Sequence, residues 1–210
     1  KKKFKKNFFW YKIDLTKERQ VENLAKKIIS KHNKIDILVN NIGLSMWKPI
    51  TEINKKFLDQ MFHANLYSIF YLIKNFVPHF KDQKSGNIVN MSSIAGKRGT
   101  KYNSVYCATK FGLNAITQSL CKELGEYNIR VNGVCPVLIK TPGLMSAISK
   151  KNSPAYKNKN FFKDFIKNNA SLGMLPSEKD VADLVFFLSS DHASSITGQS
   201  INIDCGVLPQ

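Results

Sequence analysis

Tyr106 and Lys110 stand four residues apart in Tyr106-Cys107-Ala108-Thr109-Lys110, and Ser93 lies thirteen residues upstream. On a helix that spacing puts the phenol and the ammonium on one face, because i and i+4 side chains are neighbours. A free tyrosine titrates near pKa ~10 and is a poor base at neutrality. A nearby lysine cation favours the phenolate and lowers that value. A serine hydroxyl brought in from another element holds a substrate oxygen. The three together make a proton-transfer device, whereas the Tyr–Lys step alone recurs by chance on the surface of any lysine-rich helix.

The elements that must position these groups read as follows. Residues 8–15 are aromatic and β-branched, ending at Asp14, and predict a strand. Thr16 is placed to N-cap a helix over 17–31 whose apolar face carries Val21, Leu24, Ala25, Ile28 and Ile29. Residues 35–39 form a near-continuous apolar run, as buried parallel strands do, and end in the turn Asn40-Asn41-Ile42-Gly43. A long amphipathic helix is predicted over 54–80, with Pro78 near its end, then a strand over 87–91 ending at Ser92-Ser93. A second long helix over 105–126 carries Tyr106 and Lys110. A strand over 130–134 ends at Cys135-Pro136. Residues 141–176 are rich in Lys, Asn, Pro and Ser. A helix over 180–189 and a strand over 200–203 complete the chain. Strands alternating with helices predict an α/β fold with a parallel sheet. In such sheets ligands bind outside the carboxyl ends of the strands. Asp14, Asn40, Ser93 and Pro136 each follow a predicted strand, so the topology gathers them at one edge.

Composition excludes other classes. The 210 residues suit one domain. The formal charge of +17 suggests nucleic acid at first sight, but only Arg19, Arg98 and Arg130 are arginine among 32 basic side chains. Nucleic-acid readers lean on arginine for bidentate contacts, so no nucleic-acid partner is expected. Cys107, Cys121, Cys135 and Cys205 have no metal-ligand spacing, and His32, His63, His79 and His192 are scattered, so no metal is expected. Free thiols fit a reducing cytoplasm. No run of 18 apolar residues is present, so no membrane association is expected.

With these residues in order, the chain resembles the short-chain dehydrogenase/reductase family, in its common single-domain form, along essentially its whole length, which implies a Rossmann-type doubly wound parallel sheet. Asn40-Asn41-Ile42-Gly43 is similar to the family's N-N-A-G turn. Residues 88–93 resemble the strand bearing its catalytic serine, and Tyr106-x-x-x-Lys110 resembles its active-site signature. Arg130-Val131-Asn132 with Pro136, and Ile196-Thr197-Gly198-Gln199 before Asp204-Cys205-Gly206, resemble its later signatures.

The resemblance implies an NAD- or NADP-dependent oxidoreductase that moves a hydride between the cofactor and a secondary alcohol or ketone, such as a 3-oxoacyl thioester, a sugar or a polyol. Tyr106 is then the general acid/base, and Lys110 lowers its pKa and holds the nicotinamide ribose. Ser93 polarises the substrate oxygen, with Ser92 its local rival. Asn65 holds a water linking Lys110 to solvent; otherwise it only bends a helix. Asp14, Asn40, Gly43, Pro136, Ile139 and Thr141 join Tyr106 and Lys110 in binding the cofactor. For Asp14 and Thr141 a plain turn role is the alternative, and for Asn40 a bracing role in the sheet. His63 and Cys107 are bystanders. The long helices imply a homotetramer or homodimer, and residues 141–175 a lid over the substrate. Lys150, Lys151, Lys157, Lys159, Lys163 and Lys167 make that lid cationic, with Phe161, Phe162 and Phe165 packing it down. The rival function is a non-catalytic, oligomerising or regulatory relative.

Two departures from the family stand out. The glycine-rich T-G-x-x-x-G-I-G turn that cradles the pyrophosphate has no match. The expectation is therefore a chain lacking its first βαβ unit, as a fragment of a longer protein rather than a truncated protein unable to bind a dinucleotide normally, with the basic run at residues 1–6 as the solvated face of a cut helix. Val137 replaces the glycine usual after Pro136, and its side chain is expected to crowd the nicotinamide loop.

Overall fold

The computed structural model describes residues 8–209; the basic run at 1–6 lies outside them. Four strands form one parallel sheet in the order β1 (Ile37–Asn40), β2 (Gly86–Met91), β3 (Ile129–Pro136) and β4 (Ser200–Ile203). Parallel neighbours need long crossovers, and helices supply them. Glu18–Lys31 is α1. Between β1 and β2 run α2 (Lys55–Phe62), a π-helical turn (His63–Tyr67) and α3 (Ser68–Gln83). Between β2 and β3 runs α4 (Ser104–Leu124). Between β3 and β4 run α5 (Pro142–Ile148), α6 (Phe161–Asn169) and α7 (Glu178–Ser189).

The pleat divides the core. In β2, Ile88 points to one face and Val89 to the other, and in β3 Val131 and Val134 divide the same way. One face is covered by α1, α3 and α4 through Val21, Ala25, Ile69, Ile73, Phe76, Phe80, Leu113 and Leu124. The other is covered by α7 through Leu188, Val181 and Leu184. Helices on both faces of a parallel sheet make the fold α/β, as the alternation of elements predicts, and Rossmann-like, as the resemblance implies.

The structure departs from the expected elements in five places. Residues 8–15 are not a strand, because a strand exists by pairing its backbone with a neighbour, and among the described residues β1 pairs only with β2. Ile13 and Leu15 pack on the core instead. Thr16 does not cap α1. The Asp14 carboxylate takes both its N–H (3.0 Å) and its hydroxyl (2.7 Å), and Lys17 stands at the N-cap without a side-chain bond. The helix expected over 54–80 is broken by the π turn and runs past Pro78 to Gln83. The last expected helix begins earlier, because Ser177 and Asp180 form a reciprocal capping box that starts α7 at Glu178. The 141–175 segment, read without elements of its own, contains α5 and α6.

Candidate active site

The carboxyl ends of β2 and β3 deliver Ser93 and Pro136 to the start of α4, which carries Tyr106 and Lys110. Ser93 N-caps a short 3₁₀ turn (Ile94–Gly96), its Oγ accepting the Ala95 N–H at 3.1 Å, and it faces the Pro136 carbonyl at 3.5 Å. Its side chain also stands against the Tyr106 phenol and is the neighbour that favours the phenolate. Ser92 is turned away, with its hydroxyl directed at the Lys110 carbonyl of α4 (3.3 Å). Of the two serines, Ser93 faces the phenol and Ser92 braces the helix.

Tyr106 and Lys110 are neighbours, with Lys110 Nζ 5.8 Å from the ring centroid. Their electrostatics run against the sequence expectation. Burial pushes Tyr106 up to about 12, with Ser93 opposing. Burial pulls Lys110, only 3% exposed, down to about 8. The Lys110 ammonium donates to the Met91 carbonyl at 2.6 Å. Desolvation disfavours both charged forms and outweighs their mutual attraction.

Asn65 occupies the middle of the π turn and is fully buried. Its Oδ1 accepts the Leu44 N–H (2.6 Å), and its Nδ2 donates to the Leu44 carbonyl (2.9 Å) and to Thr109 Oγ1 (3.2 Å). The side chain is therefore a two-point clamp on the turn after β1, a role the sequence did not show. Within that turn Gly43 lies beside Lys110: a Cβ there would come 3.6 Å from Lys110 Nζ and 3.9 Å from Asn65 Oδ1. Asn40 Nδ2 donates to Asn90 Oδ1 (2.8 Å), and Asn90 Nδ2 donates to Thr117 Oγ1 of α4 (2.9 Å). This is the bracing role across the sheet. Asn40 Oδ1 is buried without a partner.

The remaining expected residues divide. Ile139 accepts the Thr141 N–H (2.6 Å), and Thr141 N-caps α5 through the Leu144 N–H (3.1 Å), so its hydroxyl serves the turn. Asp14 is held by Thr16 in its own turn and makes no bond to the cluster. His63 Nδ1 is paired with the Asp59 carbonyl, and Cys107 faces Arg98 and Thr100. Val137 is buried against Ile94, Ala170 and Val207, in a cluster that Leu138 of the same loop and Phe165, Ile166 and Leu175 complete. Two contributors were missed: Thr109, which bonds both Asn65 and the Tyr106 carbonyl (2.7 Å), and the Met91 carbonyl. Thr109's place within the Tyr–Lys step, three residues from Tyr106 on the same helix, is the signal that points to it.

The site suits a nicotinamide cofactor at the strand ends. Gly43 leaves open room beside Lys110 Nζ that a side chain would fill, and the unpartnered Asn40 Oδ1 lies at the end of β1. No group of three or more His, Cys, Asp or Glu able to hold a metal occurs among the described residues. None of the described helices is long and apolar enough to cross a membrane.

Comparison with known proteins agrees with this arrangement. Residues 1–208 match the family described as enoyl-(acyl carrier protein) reductase. The chain is 32% identical over 198 residues to 3-oxoacyl-[acyl-carrier-protein] reductase FabG of Thermotoga maritima, covering 94% of this chain and 76% of the relative. It is 35% identical over 195 residues to dehydrogenase/reductase SDR family member 6 of Rattus norvegicus, covering 92% and 76%. It is 34% identical over 202 residues to the (S)-acetoin-forming diacetyl reductase of Staphylococcus epidermidis, covering 94% and 78%. Among solved structures, ElxO with NADP bound superposes with a TM-score of 0.87 at 30% identity, covering 99% of this chain and 81% of that one. The ligand-free aldohexose dehydrogenase of Thermoplasma acidophilum gives 0.86 at 26% identity, covering 96% and 78%. A parallel sheet with a Ser–Tyr–Lys cluster at its carboxyl edge, matched over nearly all its length by these relatives, places the chain in the short-chain dehydrogenase/reductase family.

Proposed function

We propose that the protein is an NAD(P)-dependent oxidoreductase acting on a secondary alcohol or ketone, with Tyr106, Lys110, Ser93 and Asn65 as its working residues. The observation that carries this reading is the convergence of half-buried Ser93 and Tyr106 with buried Lys110 at the carboxyl ends of β2 and β3, with the two titrating groups displaced in opposite directions. A bound nicotinamide supplies or accepts the hydride. Tyr106, raised to about 12, keeps its proton at neutral pH and holds it ready for a substrate carbonyl oxygen. Ser93 donates a hydrogen bond to that oxygen and steadies the phenolate left behind. Lys110, near 8, exchanges protons close to neutrality and returns one to Tyr106. In the oxidative direction the same steps reverse. Asn40, Gly43, Pro136, Ile139 and Thr141 line the cofactor edge, and Asp14 is the outlying member of that set.

The lid over 141–175 closes the substrate side of one domain spanning 1–210. A 3-oxoacyl thioester, a sugar or a polyol suits the pocket chemistry. Four free cysteines support a cytoplasmic setting. Phe70 of α3 and Phe111 of α4 stand 46% exposed, which supports a homodimer or homotetramer built on these helices. The pyrophosphate-cradling glycine turn is not written in these 210 residues; reading the coding sequence ahead of Lys1 tests whether it lies there.

The deciding experiment is turnover of Tyr106→Phe in the protein expressed from its complete coding sequence, followed by nicotinamide absorbance against a panel of 3-oxoacyl thioesters, acetoin-like ketones and polyols. Loss of turnover with the fold retained is expected. Wild-type turnover in that variant overturns the reading.

A further inference from the structure

Thr109 lies inside the Tyr–Lys step yet faces neither substrate nor solvent, being fully buried. Its hydroxyl proton goes to the Tyr106 carbonyl at 2.7 Å, which leaves a lone pair, and Asn65 Nδ2 donates to it at 3.2 Å. A helical threonine bonding its own i−3 carbonyl is ordinary. The second bond is not ordinary, because it crosses from α4 to the π turn and ends on a carboxamide that already grips Leu44 at two points. The Leu44 clamp decides which end of the amide is oxygen. Thr109 takes the one N–H the clamp leaves over.

We propose that Thr109 is a positioning residue for the active site: its hydroxyl registers the Gly43–Leu44 turn, through Asn65, against the Tyr106 turn of α4. This rests on the reading of Tyr106 and Lys110 as the proton-transfer pair. Without the hydroxyl, Asn65 keeps a buried N–H with no partner, a costly state that the surroundings relieve by shifting. A rotated amide offers no escape, since it would set Nδ2 against the Leu44 N–H and Oδ1 against the Leu44 carbonyl. The shift falls where it matters, because Gly43 borders the space next to Lys110 Nζ.

The test uses Thr109→Val, which keeps the shape and removes the hydroxyl, and Thr109→Ser, which keeps the hydroxyl, in the protein expressed from its complete coding sequence. Thr109→Val is expected to lower kcat about tenfold or more, since small misplacements at a reacting centre are expensive, while KM for substrate and cofactor stays within about twofold of wild type. In the cofactor-free protein it is expected to speed hydrogen exchange of the Leu44 amide. Thr109→Ser is expected to restore both readouts to within about twofold of wild type. Wild-type kcat and Leu44 exchange in Thr109→Val overturn the proposal. Should Thr109→Val fold poorly, Thr109→Ala against Thr109→Ser isolates the hydroxyl, and equal behaviour of that pair also overturns it. The two readings fail separately: an active Tyr106→Phe defeats the proton-transfer assignment, whereas an inactive Tyr106→Phe beside an unaffected Thr109→Val defeats the role of Thr109 alone.

Discussion

The proposed proton-transfer cluster and the base of the proposed lid meet at consecutive residues, Pro136 and Val137, but different forces hold them. On the Pro136 side the bonds are directional: Lys110 to Met91, Ser92 to the backbone of α4, Asn65 to Leu44, and Asn114 to the Gly96 carbonyl at 2.9 Å. On the Val137 side, contact is apolar, among Ile94, Val137, Ala170, Val207 and the inward residues of α6. That helix buries no residue fully, and Leu172 and Met174 beyond it stand exposed. Hydrogen bonds fix atoms to fractions of an ångström and are costly to leave unmade. Apolar burial is non-directional and tolerates sliding. On the proposed reading, acid–base geometry is built on the stiff side and substrate accommodation on the soft side.

Substitutions on the two sides should differ in kind. Tyr106→Phe, the largest effect, removes the proton and lowers kcat by about 10²–10⁴ fold, the usual worth of general acid–base catalysis, with an unchanged circular dichroism spectrum and melting midpoint. Lys110→Met comes next and separates activity from stability. Its kcat should fall about 10²-fold or more if Lys110 moves the proton. Its stability should rise, because below pH 8 the folded wild type carries a buried ammonium that the unfolded chain keeps in water. Lowering a lysine from 10.5 to about 8 corresponds to roughly 3 kcal/mol. The bond to Met91 is lost in exchange, so about 1–3 kcal/mol of net gain is expected at pH 7. The sign can be checked by pH. Between about 8 and 10.5 the folded lysine is already neutral while the unfolded one still binds a proton, so wild-type stability rises with pH and the advantage of Lys110→Met fades. Denaturant unfolding at pH 7 and pH 10.5 measures both ends, and a pH-independent difference would contradict the assignment.

On the soft side Val137→Ala removes two buried methyl groups, about 1–2 kcal/mol of folding stability. Its kinetic mark should be a rise in substrate KM of several fold with kcat within about threefold, and an unshifted pH profile. A fall in kcat with KM unchanged would mean that the lid base and the cluster are one mechanical unit.

The two sides also differ in how far the sequence betrays them. Tyr106 and Lys110 are legible because i, i+4 spacing is a property of the chain itself, and the sheet order follows from β–α alternation. The partner of Lys110 is a backbone carbonyl, which any residue supplies, so nothing in the sequence says that the ammonium is taken up by Met91. The π turn at Asn65 is one extra residue in a helix whose apolar period barely changes, so residues 54–80 read as unbroken. Residues 8–15 have strand composition, but strand pairing depends on a neighbour and not on the segment alone. The neighbours of Val137, Ala170 and Val207, are distant in sequence, so its burial among them cannot be read from the chain alone.

The smallest effect lies where the soft side meets the C-terminal turn. Cys205 has φ +55° and Gly206 has φ +79°, two left-handed residues in succession. Gly206 cannot be replaced cheaply, since a Cβ there would meet Ser171 at 2.7 Å. Cys205 has found room for its side chain, half-buried against the lid-base cluster, but it still bears the left-handed backbone that costs an L-residue about 1 kcal/mol relative to glycine. Asp204 imposes that backbone by accepting the N–H groups of Gly206 (3.0 Å) and Leu208 (2.8 Å), and the Cys205 carbonyl accepts the Leu172 N–H (3.1 Å). Relief of strain in Cys205→Gly is opposed by the lost thiol packing and by a looser unfolded chain, so a net gain of no more than about 1 kcal/mol is expected, read as a rise in melting midpoint of a few degrees with turnover unaltered. A loss of stability instead would show that the thiol's contacts with the lid base outweigh the strain, and that this side is packed more tightly than its apolar character suggests.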